Sequence, residues 1–221
     1  MVKALFLDFY GTVVHEDGEI IREITKIIMN TGGAGSTEEI GRFWWSEFQG
    51  MCEKAHGESF ETQRALEQRS LENTIERFGS DAGAAELSGR MFDYWMNPDI
   101  FEDSKAFFER CPVPIYVVSN IDRQDIRAAL DYHGLSPAGV FTSEDARAYK
   151  PREELFRLAL ESTGLGPKEA VHIGDSLSSD VRGAGRAGIP AVWLNRGGRD
   201  VPQGVRSAGS LLDILQMVFG G

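Results

Sequence analysis

The sequence predicts an α/β fold: a parallel sheet covered by helices on both faces, with an all-helical block inserted after the first strand. Three observations predict it. Short apolar runs without a helical period recur at the start of the chain and through its second half. Helical patterns separate them in that second half, and this alternation builds parallel sheets. Residues 17–96 carry helical signals only. The expected division is an α/β core from residues 1–16 and 97–221, with a helical domain at 17–96 above it.

Each element has its own signal. Residues 4–9 are an apolar run read as a buried strand, followed by a turn at Gly11-Thr12. Ile20, Ile21, Ile24, Ile27 and Ile28 make one apolar stripe on a first helix. After a glycine-rich break, Ser36 and the acids Glu38 and Glu39 read as a helix start. Two more helices are expected at 60–78 and 82–95, and Asn97-Pro98 ends the block. Trp44, Trp45 and Phe48 read as apolar packing of this block. Beyond it, a helix is expected at 101–110, a strand at 114–118 and a helix at 122–133 started by Asp122 and stopped by Gly134. A short strand at 140–141 follows, then helix 153–162 opened by Lys150-Pro151, strand 170–173, helix 181–187, a last strand at 190–194 and a closing helix at 210–219.

Composition narrows the function classes. The chain has 221 residues, a net charge of -11 and no cluster of Lys and Arg, so nucleic acid and anionic membrane are not expected partners. No stretch approaches membrane-spanning length, and the first apolar run ends in Asp8 without a cleavage site, so a cytoplasmic protein is expected. Cys52 and Cys111 are read as reduced thiols. A monomer or homodimer acting on a small anionic substrate fits this profile.

In parallel sheets, ligands bind beyond the carboxyl ends of the strands. There the chain carries Asp8, then Ser119 and Asn120, then Asp175 with Asp180 a turn later; Lys150 follows the third strand. A carboxylate can attack phosphorus or carbon to form an ester. Crowded carboxylates repel, and a lysine with a hard cation such as Mg²⁺ relieves that repulsion. Ser119 and exposed backbone N–H groups can hold an anionic oxygen. Among other residues, His172 reads as a packed core histidine, and His133 as a cation suited to a helix C-terminus. His15 reads as a group near the site entrance. The Arg196-Gly197-Gly198-Arg199 stretch reads as a solvated turn.

These residues resemble, in order, the four motifs of the haloacid dehalogenase (HAD) superfamily. Asp8-Phe9-Tyr10-Gly11-Thr12 is similar to the first motif, DxDGT; Ser119 to the second; Lys150-Pro151 to the third; Gly174-Asp175 through Asp180 to the fourth, GDxxxxD. The resemblance implies a Rossmann-like core with a helical C1-type cap and a hydrolase. It implies Asp8 as nucleophile, Thr12 and Ser119 as hydrogen-bond donors and Lys150 as neutralising cation. Asp8, Asp175, the Tyr10 carbonyl and Asp180 are the implied Mg²⁺ site. Gly11, Asn120, His15 and Arg42 complete the implied substrate contacts.

Tyr10 departs from the phosphatase pattern, which places a second Asp there as general acid and base. A phenol with a pKa near 10 is a poor base at neutral pH. DxYGT resembles the L-2-haloacid dehalogenases, as do Tyr149-Lys150-Pro151 and Trp193-Leu194-Asn195-Arg196. Asp175, Leu177 and Phe156 depart from the dehalogenase pattern in turn. The leading expectation is a Mg²⁺-dependent, phosphatase-like hydrolase of a small phosphorylated metabolite. The alternatives are a 2-haloacid dehalogenase-type enzyme and a catalytically weakened binding or regulatory relative.

Overall fold

The computed structural model describes residues 1–220. Strand β1 (Ala4–Leu7) forms where four consecutive apolar side chains can all be buried, as they are. A strand packed by helices on both faces has this composition. Five more strands follow: β2 (Ile115–Ser119), β3 (Gly139–Thr142), β4 (Ala170–Gly174), β5 (Ala191–Leu194) and β6 (Ser207–Ala208). All neighbours pair in parallel, in the order β3-β2-β1-β4-β5-β6. Leu5 stands between Ile115 of β2 and Val171 of β4. The strand order therefore reverses between β1 and β4, and a crevice opens beyond their carboxyl ends. Asp8 follows β1 and Asp175 follows β4.

The period of two sorts the core into two layers. Leu5 and Leu7 belong to one apolar cluster with Val117, Ile173 and Val192. Phe6, between them in sequence, belongs to the other with Val118, Phe156 and Ala184. The first layer continues into the inserted helices through Ile24, Ile28, Trp44, Leu71 and Trp95.

The insertion holds α1 (Gly18–Asn30), α2 (Thr37–Lys54), α3 (Gln63–Phe78) and α4 (Ala84–Met96). Ser36 and Glu39 cap α2 reciprocally, as the sequence suggested. The remaining helices are α5 (Ser104–Arg110), α6 (Arg123–His133), α7 (Ser143–Ala146), α8 (Glu154–Thr163), α9 (Gly183–Arg186) and α10 (Leu211–Phe219). No helix among the described residues is long and apolar enough to cross a membrane.

Four readings of local structure are corrected. β5 is not the last strand, because the two-residue β6 pairs beyond it; two residues carry no periodic signal. Lys150-Pro151 does not itself open a helix: α7, capped by Thr142 with Asp145, lies before it, and α8 starts only at Glu154. A π-helical turn, Leu177–Arg182, leads into α9 and takes the first two positions of the helix expected at 181–187. Trp45 is 56% exposed whereas Trp44 is buried and donates to Ser70 Oγ. Adjacent helical positions lie about 100° apart, so the two indoles cannot share one buried face.

Candidate active site

Residues from four chain segments meet above the β1/β4 crevice. Lys150 Nζ is buried and donates to Asp8 Oδ1 at 2.6 Å, Asp180 Oδ1 at 2.7 Å and the Val118 carbonyl at 3.0 Å. These three acceptors match the three N–H bonds of an ammonium. Asn120 holds the lysine's backbone from both sides: its Oδ1 accepts from Lys150 N at 2.7 Å and its Nδ2 donates to the Lys150 carbonyl at 3.1 Å. Ser119 Oγ donates to Asp8 Oδ1 and Thr12 Oγ1 to Asp8 Oδ2, each at 3.3 Å. Asp8 Oδ2 is thus the less committed oxygen.

Asp180 is fixed by more than the lysine. His172 Nε2 donates to its Oδ1 at 2.9 Å, and the Ser176 amide to its Oδ2 at 3.0 Å. His172 is buried as expected, but it is a polar partner of the site as well as a core residue. A Cβ on Gly174 would come within 2.2 Å of the Asp180 carboxyl carbon, so this approach requires glycine. A Cβ on Gly11, at φ +83°, would meet the Asp175 carboxyl at 2.7 Å. Gly11 therefore contributes space rather than a donor; its amide already donates to Val14 O, and the Thr12 amide to Phe9 O.

One carboxylate oxygen from each of Asp8, Asp175 and Asp180 lies within 4.8 Å of the other two. Burial pushes Asp8 upward, and the Lys150 charge offsets part of that rise. Burial and the charges of Asp8 and Asp180 push Asp175 up to about 8. Burial also acts upward on Asp180, but Lys150 and the His172 hydrogen bond hold it well below the usual carboxylate range. The lysine loses by burial and gains more from Asp180 and Asp8, which keep it charged. Oxygen donors of this kind and spacing fit a hard divalent cation such as Mg²⁺.

Tyr10 points elsewhere. Its hydroxyl donates to the Trp95 carbonyl in α4 at 2.6 Å. Burial, then the charges of Asp125, Asp17 and Asp8, raise its pKa well above 10. His15 is exposed, with its ring centroid 3.8 Å from that of Phe101. Arg42 is exposed on α2, with Glu38 and Glu39 as charged neighbours. The structure gathers Asp8, Gly11, Thr12, Ser119, Asn120, Lys150, Asp175 and Asp180, and leaves His15 and Arg42 outside that group.

Two other readings change, and His133, in the last turn of α6 as expected, gains a further partner. Residues 196–199 form a turn with Gly197, Gly198 and Arg199 exposed, but both of its arginines are engaged. Arg196 pairs with Asp103 and donates to the Thr12 carbonyl at 2.8 Å; Arg199 lies over the Trp193 ring and donates to the Asp175 carbonyl at 3.2 Å. The Asp122 side chain does not cap α6. It accepts from the Gln63 and Arg64 amides at 2.8 and 3.0 Å, at the start of α3. His133 Nε2 lies 2.6 Å from the Pro98 carbonyl, a partner far in sequence. Apart from Trp193, these partners are far in sequence, so no local pattern could announce them. Cys52 and Cys111 are free, and burial holds the Cys52 thiol at about 12.

The model of the haloacid dehalogenase-like hydrolases matches residues 2–188. The chain belongs to that family. Its HAD fold recurs in the L-2-haloacid dehalogenase from Xanthobacter autotrophicus, with a TM-score of 0.78 at 18% identity over 100% of this chain and 99% of that one. A HAD phosphatase from Thermococcus onnurineus aligns at a TM-score of 0.67 and 24% identity, covering 100% and 99% of the two chains. Among sequence relatives, a phosphoserine phosphatase of Thermus thermophilus is 32% identical over 126 residues, 54% of this chain and 50% of that protein. The human N-acylneuraminate-9-phosphatase is 24% identical over 208 residues, covering 89% of this chain and 84% of that one. The alignments thus span half of the Thermus relative's length and most of the human one's. This chain thus belongs to a family of hydrolases.

Proposed function

We propose that this chain is a Mg²⁺-dependent, phosphatase-like hydrolase of a small phosphorylated metabolite, with Asp8 as nucleophile. Asp175 carries the reading: a second carboxylate beside Asp8, in a cluster of three with one lysine. Three carboxylates against one ammonium leave an excess negative charge that a divalent cation offsets. Asp8, Asp175 and the Tyr10 carbonyl would hold the ion, with Asp180 behind them. Bound there, it would supply charge neutralisation for a phosphoryl group approaching a carboxylate. The phosphatase names of the sequence relatives support the same substrate class.

Asp8 Oδ2 attacks phosphorus, the bond to the leaving oxygen breaks with its electron pair, and a phosphoryl-aspartate remains. Lys150 holds Asp8 Oδ1, while Thr12 and Ser119 orient the carboxylate. Water then attacks phosphorus, the P–O bond to Asp8 breaks with its electron pair returning to the carboxylate, the water's proton passes to the departing phosphate, and Asp8 is restored. The Tyr10 proton takes no part, because its hydroxyl is held by Trp95. The rate should therefore depend steeply on the leaving group: p-nitrophenyl phosphate should turn over far faster than an alkyl phosphate. Tyr10→Asp should raise alkyl phosphate turnover by about tenfold or more. Phosphate release from a metabolite panel with Mg²⁺, with EDTA and with Asp8→Asn tests the reading. Absence of metal-dependent turnover, together with no binding of beryllofluoride as an aspartyl-phosphate mimic, would sink it.

Tyr10 favours a second reading, attack of Asp8 on carbon with halide leaving. Halide needs no proton, so a committed phenol at position 10 is no handicap. Halide release from L-2-chloropropionate without added metal is its signature. If neither product forms but Tyr10→Asp gains phosphatase activity, the chain is a weakened relative.

A further inference from the structure

Arg196 follows β5, far in sequence from Asp8, yet it is built into the loop that carries the nucleophile. Its Nη2 donates to the Thr12 carbonyl at 2.8 Å and to Asp103 Oδ1 at 2.9 Å, and its Nη1 to Asp103 Oδ2 at 3.2 Å. The guanidinium carbon lies 3.8 Å from the Phe101 ring centroid. The His15 ring lies equally close to Phe101, so the two must occupy opposite faces. The chain enters and leaves the insertion here. His15 N donates to Asp99 O at 2.7 Å, Phe101 N to Val13 O at 3.2 Å, and Ser104 Oγ to Val13 O at 2.7 Å. Arg196 therefore touches the outgoing limb through Thr12 and the returning limb through Phe101 and Asp103. Asp103 in turn accepts the Leu211 amide at 2.7 Å, anchoring the arrangement to α10.

The orientation of the guanidinium is informative. The fork to Asp103 is made end-on by Nη1 and Nη2, which leaves Nε buried and without a partner. A buried donor left unpaired carries a cost. The side chain accepts that cost while keeping the Thr12 carbonyl and the Phe101 face. Thr12 is one residue from which Asp8 Oδ2 receives a hydrogen bond.

We infer that Arg196 is a positioning residue: by holding the Thr12 carbonyl it fixes the 12–13 peptide, and through it the hydroxyl that aims Asp8 Oδ2. The inference rests on Asp8 as the nucleophile, not on whether phosphate or halide leaves. Lysine cannot replace it, because a point charge offers neither the planar face nor the two-sided fork.

The test is a mutant cycle of Arg196→Met, Thr12→Val and the double variant in the full chain, with Arg196→Lys as the milder replacement. In the presence of Mg²⁺, Arg196→Met should lower kcat by about tenfold or more with KM within about twofold, and the double variant should lose no more than Thr12→Val alone. The second readout is the amide ¹⁵N resonance of Val13, whose peptide group contains the Thr12 carbonyl; it should move in Arg196→Lys while β3 resonances stay put. Unchanged kcat, fully multiplicative losses or an unmoved Val13 resonance would each overturn the inference. If the unmodified protein releases neither phosphate nor halide, the proposed function fails and the Val13 resonance alone decides this one.

Discussion

At the scale of single residues, Lys150 sets the balance of the site. It is buried between two carboxylates, and removing one partner of such a set leaves uncompensated charge. Lys150→Met should therefore destabilise the protein by about 3–5 kcal/mol at pH 7, read from urea unfolding. Glu67 poses the opposite case. It is buried in α3 with one oxygen unpartnered, and burial, then the Asp17 charge, push it up to about 8. Between its ordinary value of 4.5 and about 8, the unfolded chain ionises while the folded chain keeps the proton. Stability is therefore full below the lower value and is lost progressively as pH rises to the upper one. Glu67→Gln should leave the melting temperature almost unchanged at pH 4 and raise it at pH 9. An equal shift at both pH values would contradict this. The chemistry-bearing residues were legible because they follow strands: Asp8, Ser119, Lys150 and Asp175 needed only their place along the chain. Arg196 and Asp122 were not, since the Thr12 carbonyl and the α3 amides that define them are set by tertiary packing.

At the scale of elements, long periodic helices were legible and short ones were not. The isoleucine stripe marks α1, and Ser36 with Glu39 marks the start of α2. Four-residue α7 and two-residue β6 hold too few positions for any period to show. The start of α3 is a joint product of the core and the insertion, because Asp122 caps it from outside and Arg64 pairs with buried Asp125. Asp122→Ala should cost about 1 kcal/mol, the usual worth of an N-terminal cap. Its signature is faster amide exchange at Gln63 and Arg64 with α6 unaffected. If exchange quickens in α6 instead, the carboxylate serves its own helix.

At the scale of the molecule, alternation of strands and helices was enough to read a parallel sheet, and a long run of helical signals was enough to read an insertion. The strand order was not legible, because which strand neighbours which is decided by crossovers that leave no local mark. That order places Asp8 and Asp175 on adjacent strands. A ligand that binds only the folded chain stabilises it by mass action. Mg²⁺ should raise the melting temperature of the unmodified protein, and Asp175→Asn should abolish that rise. A rise that survives the substitution would place the ion elsewhere.

The hydrogen bond from Tyr10 to the Trp95 carbonyl joins two properties that are usually separable. Position 10 lies beside the nucleophile, and Trp95 lies near the end of the helix that returns the chain to the core. A side chain at this position determines both whether a proton is on hand for the departing group and how firmly the insertion is moored above the crevice. In the proposed reaction, an aspartate there would offer the proton and give up this one hydrogen bond between core and insertion, while those of Asp122 and Tyr149 remain. One residue thus bears on both the leaving group and one of the ties that hold the insertion.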